Sequence, residues 1–223
     1  VTAGPTVQPI YAVRFIANHS SRKQGYAIAT ALAARGANVT LISGPVTLPA
    51  PSGVKHISVQ TAVQMEAAVK AALPADIAIC AAAVADWRVA ETRHAKLKKA
   101  DHRTDTHMQL SLVENPDILA ALGQSDQRPT LLVGFAAETE NLIENAKVKL
   151  HQKKIDAIIS NYLSRADICF NADDNEVCWI TKDVEKHLER NSKAKICREI
   201  IQLVACLLYT SPSPRDVEES RMP

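Results

Sequence analysis

Side chains that bind anions crowd the opening stretch of the sequence, VTAGPTVQPIYAVRFIANHSSRKQG. They follow Val1–Ala3, which has the composition of a strand end. A helix beginning after the two serines adds unpaired N–H groups and the positive end of its dipole, and both suit a phosphate. A serine before a helix is also an ordinary N-cap, so both interpretations stay open. The candidate residues for a phosphate region are Gly4, Thr6, Ser20, Ser21 and Lys23.

Two further loops carry residues suited to a flat or an anionic ligand. In CAAAVADW (80–87), small side chains allow close approach to the backbone, and Asp86 stands at the mouth of the loop. A packed strand end with a capping Asp is the alternative. In KLKK (96–99), Lys96 and Lys98 share one face of an extended segment. A solvated edge strand explains that pattern equally well.

Two motifs associated with helices add candidates. NPDI (115–118) offers an amide side chain and the N–H groups of a helix N-terminus, or only a cap. Lys149 and Lys153 are four positions apart, which places two cations on one helix face, although such a face is more often simply solvated. The Walker loop, GxGxxG and GxSxG patterns and paired histidines at metal-ligand spacing do not occur in the sequence.

The elements that position these loops alternate between strands and helices, which predicts a doubly wound, mostly parallel α/β sheet with helices on both faces. In such sheets ligands bind at the carboxyl ends of the strands, where the loops above fall. EVCWIT (176–181) alternates like an edge strand, and the first 25 residues are interpreted as a loop. Further strands are predicted at 38–43, 130–135 and 156–160, and 76–86 is predicted as a buried strand that runs into a loop of small residues. Weaker strands are predicted near 94–98 and 107–112, and helices at 27–34, 61–73, 114–123, 141–154 and 192–208.

Composition excludes several classes of protein. The formal net charge of +2 gives no general surface for nucleic acid. Neither a membrane span nor a signal peptide is recognisable. The five cysteines, without metal-ligand spacing, fit reduced thiols in a cytoplasmic protein; they are Cys80, Cys169, Cys178, Cys197 and Cys206.

Taken in order, the segments TAGPT, VRFIANHSS, GANVTLISGPV, AAAVADW, KLKK, NPDIL and VGFAAET resemble the bacterial phosphopantothenoylcysteine synthetases. The resemblance covers residues 1–206 and leaves 207–223 as a non-native or disordered tail. In many bacteria this ligase is the C-terminal half of a bifunctional protein whose other half is an FMN-dependent decarboxylase. Nothing here matches that flavin half, so no FMN is expected in this chain.

The resemblance implies a reaction and its partners. The carboxylate of 4′-phosphopantothenate attacks the α-phosphate of CTP, with Mg²⁺, and the amine of L-cysteine then attacks the acyl-cytidylate. Such a site works by positioning and charge stabilisation rather than through a protein nucleophile. Family members are dimers, so a homodimer is expected, natively fused to the decarboxylase.

By matching position, Asn18 and Lys96 correspond to the family's catalytic residues. The phosphate region falls on the residues named above, and the metal ligands stay unassigned. The residues implied for nucleotide binding are Cys80, Ala81, Ala82, Asp86, Asn115, Pro116, Asp117, Ile118, Phe135, Lys149 and Lys153.

The sequence departs from the family pattern in the opening stretch. Arg22 replaces the glycine of the usual SSGK motif, Tyr11-Ala12 replaces an acidic residue and a proline, and Val7 replaces a frequent arginine. A catalytically impaired nucleotide-binding fragment is therefore the alternative. An oxidoreductase that uses a nicotinamide dinucleotide is a weaker rival, because the first strand–helix turn lacks GxGxxG.

Overall fold

The structure, a computed structural model, describes residues 1–20, 23–92, 109–138, 141–162 and 174–210. In chain order its elements are β1 (Thr2–Ala3), β2 (Val7–Tyr11), β3 (Arg14–Ala17), α1 (Lys23–Ala33), β4 (Val39–Ser43), β5 (Val54–Ser58), α2 (Ala62–Ala71), β6 (Ile77–Cys80), β7 (Trp87–Val89), β8 (Leu112–Glu114), α3 (Ile118–Gly123), β9 (Leu131–Glu138), α4 (Leu142–Gln152), β10 (Ala157–Tyr162), β11 (Asp174–Thr181), β12 (Glu185–Ser192) and α5 (Lys193–Thr210).

Eight of these strands form one mixed sheet in the order β12-β11-β10-β9-β6-β1-β4-β5. The strands from β10 to β5 pair in parallel, and β11 and β12 pair antiparallel. The chain leaves β1 toward β4 and β5, then returns to β6 on the other side of β1. Strand order therefore reverses between β1 and β6, where open α/β sheets hold their ligands. The predicted fold class is confirmed.

Helices cover both faces because side chains alternate along the buried strands. Leu132 and Ile158 pack with Leu122 and Leu150 of α3 and α4. Their strand neighbours Val133 and Ile159 face the opposite way, into a core completed by Ile28 of α1 and by Ile196 and Ile200 of α5. Because apolar side chains alternate along the strands, helices pack on both faces of the sheet. The molecule therefore has three layers, with the sheet between two layers of helices.

Two small antiparallel two-stranded sheets stand apart from the main sheet, the β2–β3 hairpin and the pair formed by β7 and β8. The interpretation of the first 25 residues as a loop is therefore wrong, because Val7–Ala17 folds back on itself. Most of β3 is exposed, so its sequence lacks the clean alternation of a half-buried strand.

The C-terminal part of the sheet also differs from prediction. EVCWIT is not an edge strand, because β11 lies between β10 and β12. The edge is β12, whose sequence EKHLERNS is polar and carries no strand signal, in keeping with an edge that resists further pairing. Helix α5 continues to Thr210, whereas residues 211–223 lie outside the described part of the chain.

Most other predicted elements are found close to their predicted bounds. Thr61 caps α2 as expected, and Gln64 completes a capping box with it. The helix predicted at 114–123 begins only at Ile118, and the strand predicted near 107–112 lies at Leu112–Glu114. The strand predicted near 94–98 falls outside the described residues. Among the described helices, none is long and apolar enough to cross a bilayer.

Helix α1 approaches β1 closely through Gly25. A Cβ atom built at Gly25 would lie 2.6 Å from the Cβ of Ala3 and 3.1 Å from the backbone oxygen of Thr2. Such contacts are shorter than van der Waals packing allows, so only glycine fits without a shift of the helix or the strand. The close approach holds the N-terminal end of α1 beside the end of β1.

We expect Gly25→Ala to lower the melting temperature, although alanine is intrinsically favoured over glycine by about 1 kcal/mol inside a helix. The clash with Ala3 and Thr2 outweighs that gain. Thermal unfolding followed by circular dichroism measures the change. Thr30→Ala, at an exposed position of the same helix, is the control and leaves the melting temperature within a few degrees. A higher melting temperature for Gly25→Ala would contradict this packing.

Candidate active site

The centre of the candidate site is the loop that joins β6 to β7, residues 81–86, called here the small-residue loop. Four of its six residues are alanine, so few side chains of its own can fix it. Its backbone continues the pairing of β6 with β1 one step past the ends of the two strands. Ala83 N–H donates to the carbonyl of Gly4 at 2.9 Å, and Thr6 N–H donates to the carbonyl of Ala83 at 3.2 Å. Gly4 has a φ of 71°, which suits glycine at the turn leaving β1.

Three side chains from two distant segments, residues 2–6 and Asn115, hold the rest of this loop. Thr2 Oγ1 accepts from Ala82 N–H at 3.3 Å, and Thr6 Oγ1 accepts from Ala85 N–H at 3.0 Å. Asn115 donates from Nδ2 to the carbonyl of Ala85 at 2.7 Å, and its N–H donates to the carbonyl of Asp86 at 2.8 Å. Each such hydrogen bond contributes about 1 kcal/mol, so together they fix the loop in one conformation.

Asn18 reaches the same loop from the end of the β2–β3 hairpin. Its Nδ2 donates to the carbonyl of Val84 at 3.1 Å, and its side chain is otherwise exposed. The predicted catalytic amide therefore lies against the loop predicted to bind nucleotide, although the two are 66 positions apart in the sequence. Lys96, the other predicted catalytic residue, lies outside the described residues.

A cavity of about 380 Å³ opens beside the small-residue loop, at the carboxyl ends of β1 and β6. Nine of the eleven residues predicted for nucleotide binding line it: Cys80, Ala82, Asp86, Asn115, Pro116, Asp117, Ile118, Phe135 and Lys153. Ala81 and Lys149 are described but do not line it. The prediction missed six lining residues, which are Thr2, Val84, Ala85, Trp87, Glu114 and Leu119.

Sequence patterns contained partial signals for the residues that were missed. Val84, Ala85 and Trp87 belong to or adjoin the motif already singled out, and Glu114 directly precedes NPDI. Thr2 had no such signal, because only the pairing of β1 with β6 brings it beside Cys80. A larger cavity of about 450 Å³ opens at the amino ends of the strands, and Cys80 is its one lining residue among those predicted for the site.

Asp117 and Lys153 form an ion pair at the wall of the cavity. Lys153 Nζ lies 2.8 Å from Asp117 Oδ2, and the other carboxylate oxygen, Oδ1, caps α3 by accepting from Ala120 N–H at 3.0 Å. Burial acts to raise the pKa of Asp117, but the hydrogen bonds from Lys153 and Ala120 and the charge of Lys153 together hold that pKa below its ordinary value. Asp117 therefore keeps one cation at the cavity wall.

Cys80, at the end of β6, is not set up as a nucleophile. Burial raises the pKa of its thiol to about 11, and the hydrogen bond with Thr2 offsets only part of that rise. A thiol with so high a pKa is protonated near neutral pH and reacts slowly. Cys80 is therefore not a candidate for the nucleophile of the reaction.

The predicted phosphate region is only partly available to a ligand. Gly4 and Thr6 are buried, Thr6 completely, and the Thr6 hydroxyl oxygen accepts from Ala85 N–H of the small-residue loop. Ser20 and Lys23 are half-buried at the start of α1, and Ser21 lies outside the described residues. Within the described ranges, no three His, Cys, Asp or Glu residues are grouped as metal ligands.

Comparisons with known proteins agree on a single family. Residues 1–207 match the family described as the DNA/pantothenate metabolism flavoprotein C-terminal domain. The sequence is 47% identical over 195 residues to the coenzyme A biosynthesis bifunctional protein CoaBC of Escherichia coli (strain K12), covering 86% of this chain and 48% of that protein. It is 44% identical over 209 residues to CoaBC of Vibrio vulnificus (strain YJ016), covering 93% and 52%.

The fold is similar to that of a solved relative. The crystal structure of the C-terminal domain of CoaBC matches with a TM-score of 0.77 and 35% identity, covering 93% of each chain. The chain itself spans about half the length of the two curated relatives, which are named as bifunctional proteins.

The ion pair predicts a pH-dependent loss of stability in Asp117→Asn. Because the folded pKa of Asp117 lies below its unfolded value, the wild-type stabilisation is present above that unfolded value and is lost as the pH falls through the folded pKa. The side chain of Asp117 is 49% exposed, so we expect the substitution to lower the free energy of unfolding by only about 0.5–1 kcal/mol at pH 7.

Urea unfolding of both proteins at pH 7 and at pH 3 measures this difference. Asparagine keeps a side-chain cap on α3, so the substitution removes the carboxylate charge together with its ion pair but not the cap. The difference in the free energy of unfolding between wild type and Asp117→Asn is smaller at pH 3 than at pH 7. Asp126→Asn, at an exposed position after α3, is the control and shows no such difference. An equal difference in the free energy of unfolding at both pH values would contradict the assigned role of the Asp117 charge.

Proposed function

The chain belongs to the DNA/pantothenate metabolism flavoprotein C-terminal domain family, and from that premise we propose that it is a ligase of coenzyme A biosynthesis. It joins 4′-phosphopantothenate to L-cysteine using CTP, through an acyl-cytidylate. The observation that carries this proposal is the contact of Asn18 with the wall of the cavity, at 3.1 Å from the carbonyl of Val84. An amide donor and a nucleotide-sized cavity of about 380 Å³ then share one loop.

In the first half-reaction the carboxylate of 4′-phosphopantothenate attacks the α-phosphorus of CTP. An oxygen–phosphorus bond forms to the acyl group, and the bond to the β-phosphate oxygen breaks to release pyrophosphate. Several anions meet in this step, so cations and N–H groups must offset their repulsion. Lys153 at the cavity wall supplies one cation, and Lys96 and Lys149 are assigned to the same task by the family resemblance.

In the second half-reaction the amine of L-cysteine attacks the acyl carbon, and CMP leaves. The amine loses a proton, and negative charge develops on the former carbonyl oxygen. Asn18 Nδ2 carries two hydrogens. One of them is donated to the carbonyl of Val84, and the second is directed toward the substrate oxyanion. Because the Asn18 amide is already held by Val84, the site needs less reorganisation when negative charge develops on the substrate oxygen.

Recognition of the nucleotide is assigned to the cavity wall. Asp86 is exposed at the mouth of the small-residue loop, where its carboxylate can accept from an exocyclic amine. Cys80 and Ala82 line the cavity, and their small side chains let a base approach their backbone groups. Phe135 and Pro116 supply the apolar surfaces that a base packs against.

Magnesium fits the donor chemistry of this site. Mg²⁺ takes oxygen ligands and is commonly bound by one or two carboxylates together with substrate phosphates. Glu114 offers an exposed carboxylate at the cavity, so Glu114 and the triphosphate are the proposed ligands. When bound, the ion neutralises charge on the departing pyrophosphate.

The assembly proposed for the whole protein is a homodimer fused to an FMN-dependent decarboxylase. The chain spans about half of relatives that are named as bifunctional proteins, which supports the fusion. The FMN is assigned to that other half, not to this chain. A cytoplasmic location is proposed with it, and neither nucleic acid nor membrane is a proposed partner.

The proposal is tested with a panel of CTP, ATP, GTP and UTP in the presence of 4′-phosphopantothenate, Mg²⁺ and L-cysteine. We expect CMP and pyrophosphate to form with CTP and CMP release to depend on cysteine. Chromatography of the nucleoside monophosphates is the measurement. Pantothenate without its phosphate is the control substrate and reacts poorly.

Equal turnover of pantothenate, or CMP release without cysteine, would contradict the proposed reaction. Binding of CTP without turnover in the wild type, with turnover restored in Arg22→Gly, would favour the impaired fragment instead. Calorimetry measures CTP binding in that comparison.

Substitution of Asn18 separates the two half-reactions. Asn18→Asp places a negative charge beside the developing oxyanion, so we expect cysteine-dependent CMP release to fall by about 100-fold or more. Formation of pyrophosphate in a single turnover changes much less, and acyl-cytidylate accumulates. Quenched-flow chromatography follows both products. Equal loss in both half-reactions would remove Asn18 from its assigned role.

A further inference from the structure

We propose that Thr6 is a positioning residue for this reaction, holding the small-residue loop so that one element both shapes the nucleotide cavity and orients Asn18. The inference rests on the proposed function. It gives the buried hydroxyl of Thr6 a role different from the phosphate contact that the sequence predicts. Thr6 touches no substrate in this role and acts only through the loop.

Thr6 binds the loop on both sides of Val84. Its N–H donates to the carbonyl of Ala83 at 3.2 Å, and its Oγ1 accepts from Ala85 N–H at 3.0 Å. Both bonds are shielded from water, because Thr6 is 0% and Ala85 2% exposed. The peptide groups on either side of Val84 are thus held by a single residue of the β1–β2 connection.

The buried hydroxyl of Thr6 belongs to a small polar network. Gln8, which is 1% exposed, donates from Nε2 to Thr6 Oγ1 at 3.1 Å. One oxygen therefore accepts from a side chain of β2 and from the backbone of the loop. Because β2 forms the hairpin with β3, and Asn18 directly follows β3, this network links the base of the hairpin to the loop that Asn18 contacts.

The groups that Thr6 holds are those that the reaction needs. The carbonyl of Val84, in the same peptide group as Ala85 N–H, accepts from Asn18, and the carbonyl of Ala85, in the next peptide group, accepts from Asn115. Val84, Ala85 and Asn115 all line the cavity. If the Thr6 bond to Ala85 is lost, the loop can rotate, and both the acceptor for Asn18 and the cavity wall move together.

Removal of the Thr6 hydroxyl tests whether Thr6 holds the acceptor of Asn18 and the cavity wall in place. Thr6→Val keeps the shape of the side chain but leaves Ala85 N–H without its buried acceptor, whereas Thr6→Ser keeps the oxygen. We expect Thr6→Val to raise the KM for CTP and to lower kcat for cysteine-dependent CMP release by about 10- to 100-fold, as misplacement of reacting groups does. Thr6→Ser restores most of the activity.

A double-mutant cycle separates positioning from general stability. If Thr6 lowers kcat through Asn18, the double variant Thr6→Val/Asn18→Asp releases CMP at saturating CTP nearly as fast as Asn18→Asp alone, because the amide to be positioned is already gone. Thr181→Val is the matched control. Thr181 is a buried threonine whose Oγ1 accepts from Val184 N–H at 2.9 Å in the β11–β12 turn, away from the site. This control lowers stability but leaves KM and kcat unchanged.

Amide hydrogen exchange gives a readout that does not depend on activity. In Thr6→Val the peptide covering residues 81–86 exchanges faster, and in Thr6→Ser and Thr181→Val it does not. Full activity of Thr6→Val, additive losses in the double variant, or unchanged exchange in the loop would each overturn the inference. A wild type that forms no CMP would instead overturn the proposed function, and the exchange measurement would still decide whether Thr6 holds the loop.

Discussion

The site depends on a loop of small residues that is fixed by hydrogen bonds from other segments. Alanines at the end of β6 leave space for a ligand, but they provide no side-chain contacts that would hold the loop in place. The sheet brings β1 beside β6, and the residues after β1 then supply Gly4 and Thr6 as partners for the loop backbone. Asn18 and Asn115 complete the set from two further segments. Close access for a ligand and a defined backbone conformation are thereby combined.

At the cavity wall, too, one side chain makes two stabilising contacts. Asp117 caps a short helix and also holds Lys153 at the wall, so one carboxylate orders both a backbone terminus and a cation. The thiol of Cys80 stays protonated because it is buried, and it adds no competing charge. The described lining carries three carboxylates, on Asp86, Glu114 and Asp117, and one cation, Lys153, so the triphosphate and carboxylate substrates proposed for the site need further cations or their own counterions.

Much of the architecture could be predicted because its signals are local. Apolar runs such as TLLVGF and DAIIS are buried on both faces, and Thr61 with Gln64 marks a helix start by its own chemistry. The β2–β3 hairpin and β12 were missed because they are exposed or polar, so burial leaves no periodicity in their sequences. Nine of the eleven residues predicted for the nucleotide line one cavity, because the loop after β6, the start of α3 and the C-cap of α4 contribute to its wall.

The sequence alone determined the fold class, the order of its main elements and the motifs that resemble a ligase family. These properties follow from side-chain period, turn chemistry and residue identity, which are all written along the chain. Only the tertiary structure decided which partners those motifs meet. Thr6 is an example, because its neighbours suggest an exposed phosphate ligand, whereas pairing of β1 with β6 buries it against Ala85. Hydrogen bonds between residues about 80 positions apart depend on strand order and register, and no local pattern in the sequence specifies them.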